Sequence, residues 1–200
     1  MLRVALVALC VTCVLAQTPA RPVIRPEFMA EFEYRDESHN HTSEGRGHWA
    51  HDSIGRRAVD HMEEHERPGE MPHFETILWR FDEHVEYFLT GPRNQSHCEK
   101  HALNGSVPNP FGWLAQAHYQ GKHEVPPHQE LEVWGAKVAD TTLEVGVTSE
   151  NTNTPVVFMS RSSGRSRMVH FDHFTQTTPP AALFDVPESC SSRSQPSRRH

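Results

Sequence analysis

Phe28-Met29-Ala30-Glu31-Phe32-Glu33-Tyr34-Arg35 is the stretch that decides the fold class. Phe28, Ala30, Phe32 and Tyr34 alternate with Met29, Glu31, Glu33 and Arg35, so the regularly apolar positions recur every second residue. A helix would show a period of about 3.6. A period of two belongs to a half-buried strand, whose successive side chains point to opposite faces.

The same pattern continues outward from this stretch. Gly47 to Asp52 and Arg56 to His61 flank Ser53-Ile54-Gly55 and predict a hairpin. Leu131 and Val133 alternate with Glu130, Glu132 and Trp134, and Leu143, Val145 and Val147 with Glu144 and Thr148. Pro155 to Ser160 and Met168 to Thr175 read as two strands around the turn Ser162-Ser163-Gly164. Glu75 to Leu89 fits either two strands turning at Asp82-Glu83 or a helix with Ile77, Phe81, His84 or Val85, and Phe88 on one face. Its density of aromatic and β-branched residues favours strands. The expectation is an all-β fold: an antiparallel two-sheet sandwich or a partly open barrel.

The N-terminus has a different character. Arg3 precedes an apolar run from Val4 to Ala16, and Val14 and Ala16 are small residues spaced for signal peptidase. The run is shorter than the roughly 20 residues a spanning helix needs, and it matches a signal peptide cut before Gln17. The chain then divides into a signal segment, 1–16, a lead-in, 17–26, a β domain, 27–190, and a tail, 191–200, whose Ser/Arg composition is that of disorder. About 184 mature residues are enough for one domain with a real core. A formal charge of −7, or −8 without Arg3, with dispersed Lys and Arg argues against nucleic acid as a partner.

Cys10 and Cys13 leave with the signal segment, and Cys98 and Cys190 remain. In an oxidising compartment such a pair bonds, and a loop of about 93 residues gives roughly 4 kcal/mol on the chain-entropy model. Three N-x-S/T sequons, at Asn40, Asn94 and Asn104, mark N-glycosylation sites, two of them flanking Cys98.

One stretch points to catalysis. His61-Met62-Glu63-Glu64-His65 fits H-x-x-E-H, in which a helix presents two His to Zn²⁺ and the Glu acts as base. Arg67-Pro68-Gly69 follows at once and would end any helix within a turn, so the leading reading is a solvated acidic loop between strands. A Zn-dependent hydrolase using His61, Glu64 and His65 is the alternative function. His39/His41, His48/His51 and His97/His101 are further His pairs. Asp60, Glu63, Glu64, Glu66 and Glu70 form an acidic cluster without the alternating ligand spacing of an EF-hand loop.

Aromatic residues concentrate in or beside the expected strands. They serve either as core or as the lining of an apolar ligand pocket between sheets, built from a subset of Phe32, Trp79, Tyr87, Trp134 and Val145. The 16 His add a pH argument. Their protonation near pH 6.5 would raise the mature charge from −8 toward +8 as an upper bound, favouring anionic membranes at acidic pH.

Several ordered pieces together resemble the ependymin-related family. They are Gly47-His48-Trp49 to Asp52 with Gly55-Arg56, and Leu78-Trp79-Arg80-Phe81-Asp82 to Tyr87 leading into Cys98. Val133-Trp134, Leu143-Glu144-Val145-Gly146-Val147, Asn153-Thr154-Pro155-Val156 and the closing Phe184-Asp185-Val186-Pro187-Glu188-Ser189-Cys190 complete the likeness, which runs from about Phe28 to Cys190. The resemblance implies a secreted, extracellular or lysosomal glycoprotein, with a fold similar to bacterial lipoprotein-carrier domains. It also implies a Cys98–Cys190 pair, an apolar pocket, calcium binding, homodimers, cell–matrix contact and no catalysis. No calcium motif in the chain accompanies it, and no cofactor is expected.

Overall fold

The computed structural model describes residues 18–39, 41–64, 73–92, 96–126 and 129–191. Eleven strands run β1 Phe28–Ser38, β2 His41–Asp52, β3 Arg57–Glu64, β4 His73–Arg80, β5 Val85–Pro92 and β6 His97–Ala102, then β7 His118–Val125, β8 Gln129–Val138, β9 Thr141–Val147, β10 Pro155–Ser162 and β11 Arg165–Thr175. All neighbours pair antiparallel, in the order β6-β5-β4-β3-β2-β1-β11-β10-β9-β8-β7. The all-β antiparallel expectation holds in its open form. The strands make one continuous sheet with β6 and β7 at its two edges. Glu75 to Leu89 falls on β4 and β5 with a turn at 81–84, as the strand reading requires.

The sheet curls. β2 and β10 are separated by β1 and β11, and three strand spacings of about 4.8 Å would hold them some 14 Å apart on a flat sheet. The rings of Trp49 on β2 and Phe158 on β10 nevertheless lie 6.1 Å apart, because side chains on the inner face converge. The chain between β6 and β7 crosses the mouth of this trough and drops Phe111, Trp113, Leu114 and Ala117 into it. Phe111 alone meets Phe28, Phe158, Phe171 and Phe174 at centroid distances of 5.6 to 6.5 Å. Phe28, Ala30, Phe32 and Tyr34 are all buried in this inner core, as their alternation predicts.

Two local devices fit the aromatics in. On β2, Gly45 and Gly47 lie beneath the rings of Tyr34 and Phe32. A Cβ at Gly47 would come within 2.6 Å of Phe32 and 2.3 Å of the His61 carbonyl oxygen. On β11, the register shifts at Asp172, so that Phe171 pairs with Phe32 and Phe174 with Ala30. Strict alternation would send residues 171 and 174 to opposite faces. The bulge brings both to the inner one.

The outer face has its own core. Met29, Ala50, Val59, Leu78 and Tyr87 are cross-strand partners in one row over β1 to β5. Phe184 and Cys190, from the C-terminal segment after β11, cover this row. Arg57 stacks on the Phe184 ring at 4.6 Å, Arg80 Nη1 donates to the Phe184 carbonyl at 3.2 Å, and the Cys98–Cys190 disulfide ties the segment to β6. Among the described residues no helix is long and apolar enough to cross a membrane.

Candidate functional site

Between this C-terminal segment and the outer face of β11, β1, β2 and β3 runs a groove of about 900 Å³. Pro180, Ala182 and Leu183 form its wall, and Leu183 is 39% exposed. Met29 forms part of its floor, and Glu31, Arg46, His48, His61 and Glu63 stand around it. The register dictates this arrangement. Glu31, His48 and His61 are direct partners across β1, β2 and β3, on the side that alternation turns away from Phe32 and Trp49.

The groove's polar groups are mutually engaged. Arg46 reaches Glu63 at 3.4 Å, His173 reaches Glu31 at 3.5 Å, and His61 Nδ1 shares a 2.7 Å hydrogen bond with Thr76 Oγ1. The rings of His48 and His61 stack with centroids 4.9 Å apart. Burial lowers the His48 pKa against an opposing pull from Glu31, so its ring is neutral at neutral pH.

A second cavity of about 390 Å³ opens at the end of the inner trough, beside Tyr34, Met62, Glu64, Glu75 and Arg167. Arg167 grips both oxygens of Asp36 at 2.6 Å. Burial raises the Asp36 pKa, but the bonds from Arg167 and Arg165 outweigh it and hold the carboxyl below its usual range. Tyr34 is pushed up to about 12, first by burial and then by the charges of Glu64 and Asp36.

Three sequence expectations change here. The segment His61 to Glu64 is part of strand β3, not a solvated loop. On a strand, residues three apart face opposite ways. His61 therefore lines the outer groove and Glu64 the inner cavity, and the shared face that the zinc motif requires does not exist between them. His65, Glu66 and Glu70 lie outside the described residues. Asp60 is not a solvated member of an acidic cluster. It points inward opposite Trp49, and burial pushes it up to about 6. His48 and His51 do not act as a pair, because His51 faces inward, stacked on Phe28 with ring centroids 4.9 Å apart and pushed down to about 4 by burial.

His97 and His101 bracket Glu99 on β6 at 3.3 and 3.4 Å. No three His, Cys, Asp or Glu side chains among the described residues converge on a metal-sized point. The five aromatic and aliphatic residues read as a pocket lining separate into different places. Phe32, Trp134 and Val145 share the inner core, Tyr87 belongs to the outer core, and Trp79 sits half-buried on β4 in neither. Of the five, Phe32 borders the larger groove. Asn104 is exposed in the crossing segment, while Asn40 and Asn94 lie outside the described residues. The Cys98–Cys190 bond is present, with the two Cα atoms 5.4 Å apart.

Sequence reasoning missed the groove and two of its features. Pro180 to Leu183 carries no strand or helix period, and the His48–His61 contact needs the β2–β3 register. Alternation sets Glu132 with Glu130 and Trp134 on the face opposite Leu131 and Val133, yet residues 131–136 of β8 are all buried. Its carboxylate is satisfied by the Tyr119 hydroxyl and by Ser149 Oγ at 2.8 Å.

No family model matches the chain. No curated protein matches it either. Solved structures similar to it include one described as PNGF-II, with a TM-score of 0.31 and 10% identity over 79% of this chain. The chain spans only 30% of that protein's length. Another is a DUF1329 family protein from Desulfovibrio piger, with a TM-score of 0.37 and 9% identity over 80% of this chain and 90% of that one.

Proposed function

We propose that this chain is a secreted, non-catalytic glycoprotein of the ependymin-related kind that holds an apolar, lipid-like ligand in the outer groove. The observation that carries this reading is the groove itself. Its volume of about 900 Å³ lies within the range of about 300–1,000 Å³ usual for small-molecule sites, and Leu183 presents an apolar side chain to it from a disulfide-tethered segment. The disulfide suits the oxidising compartment that the N-terminal segment indicates. With the histidines neutral, Arg46 stands against Glu31, Glu63 and Asp172, a net of two negative charges. The ligand class this favours at neutral pH is neutral or zwitterionic rather than anionic. Calcium binding, homodimers, cell–matrix contact and a lysosomal address belong to the reading only through the family resemblance. Acidification, by protonating histidines across the chain, would bring anionic membranes within reach.

The test is a calorimetric titration of delipidated protein with lysophosphatidylcholine. The expected result is a saturable change, weakened tenfold or more by Leu183→Asp, a substitution at an exposed position. Flat titrations across several lipid classes, or equal binding by the variant, would refute the reading.

A further inference from the structure

One row of side chains crosses five strands on the outer face. His173 of β11 is the register partner of Glu31 on β1, Glu31 of His48 on β2, His48 of His61 on β3, and His61 of Thr76 on β4. Each link is also a side-chain interaction. His173 and Glu31 form an ion pair at 3.5 Å, and Glu31 acts on His48 through its charge. His48 and His61 stack at 4.9 Å with their planes 28° apart, and His61 hydrogen-bonds Thr76 at 2.7 Å. Two imidazoles so close cannot both carry a proton cheaply, since like charges directly opposite on a sheet repel.

We propose that His48 and His61 form a two-histidine site for a divalent transition-metal cation, with Thr76 orienting the His61 ring and Glu31 adding its negative charge beside His48. Imidazole nitrogens suit Cu²⁺, Ni²⁺ and Zn²⁺, and one divalent ion satisfies both rings where two protons would repel. Metal–nitrogen bonds of about 2.0–2.1 Å require the two ligating nitrogens to come within roughly 3.5 Å of each other. The rings stack in the structure, so ligation requires the His48 imidazole to rotate about its side-chain torsions until its nitrogen meets that of His61, with neither strand moving. The Thr76 bond fixes the His61 ring, the role an outer-shell partner plays for a ligating histidine. The net negative charge of the groove attracts a cation. Among the described residues no third His, Cys, Asp or Glu converges with the two rings. The site does not depend on the groove accepting a lipid.

The experiment uses the mature chain, freed of metal and lipid, titrated with CuCl₂ and separately with ZnCl₂ at pH 7.4 by calorimetry. One tight equivalent is expected, Cu²⁺ above Zn²⁺. His48→Gln and His61→Gln should each weaken it tenfold or more, and Thr76→Val several-fold. His118→Gln and His123→Gln, on the far edge strand β7, should leave it unchanged. Because a groove variant can misfold, the unmodified protein supplies a second readout. Sub-stoichiometric Cu²⁺ should broaden the imidazole proton resonances of His48 and His61 before those of any other histidine. Unchanged affinity in both groove variants, or broadening that begins elsewhere, would overturn the proposal.

Discussion

On the inner face of the sheet, Phe111 packs among Phe28, Phe158, Phe171 and Phe174, and the trough is filled by aromatic rings from six strands and the crossing segment. On the outer face, a thinner apolar row from Met29 to Tyr87 is covered by one short segment, fastened by a disulfide and by Arg57 and Arg80. The first face is stabilised by volume and interdigitation. The second is stabilised by tethering, and beside its tether a groove remains unfilled. The side that packs best holds the fold together, and the side that packs least has room for a ligand.

Phe111→Ala should expose the difference most strongly. It removes the ring shared by four inner aromatics and should cost about 3–5 kcal/mol of unfolding free energy in a denaturant titration. Molecules still folded should bind apolar ligand as before. Cys98→Ser with Cys190→Ser should act the other way round. Stability should fall by about 4 kcal/mol on the chain-entropy model, and the segment carrying Leu183 should loosen, so that groove binding falls with it. If the double variant kept full binding, the tether would not be what shapes the groove.

A smaller effect separates the two inward-facing titrating groups. His51 is pushed down from 6.5 to about 4 by burial, so its contribution is complete above pH 6.5 and is lost as pH falls toward 4, by about 3 kcal/mol. Asp60 is pushed up from 3.8 to about 6, chiefly by burial, with Trp49 and Arg167 pulling it down and Glu75 pushing it up. Its ionisation is a penalty above pH 6, and that penalty is relieved as pH falls toward 4, again by about 3 kcal/mol. The two opposite slopes offset each other, so between pH 6.5 and 4.5 the wild type should lose less than His51 alone would cost, with half-buried His48 adding to the loss. Asp60→Asn removes one of them. Measured with a metal chelator present, the variant should be more stable than wild type at pH 7 and should lose that advantage on acidification.

The two faces also differ in how far the sequence discloses them. The inner core was legible because alternation in Phe28 to Tyr34 and the turns at 53–55 and 162–164 follow from local physics. Its bulge was not. Phe171 and Phe174 reach the same face only because Asp172 drops out of the register with β1. The outer groove depends on non-local facts throughout. His61 reads as part of a zinc motif or a loop until β3 is seen as a strand, and only the β2–β3 register makes His48 its neighbour. Pro180 to Leu183 gains meaning from the Cys98–Cys190 tether, which the cysteine count disclosed, although what that tether encloses was not legible.

The most direct test of which face takes the ligand is photo-cross-linking with a zwitterionic lipid bearing a photoreactive acyl chain, mapped to single residues by mass spectrometry. The account predicts saturable labelling on Met29, Ala182 and Leu183, competed by unlabelled lipid. Labelling confined to inner-face residues such as Phe158, Trp113 or Trp134, or labelling that never saturates, would contradict it.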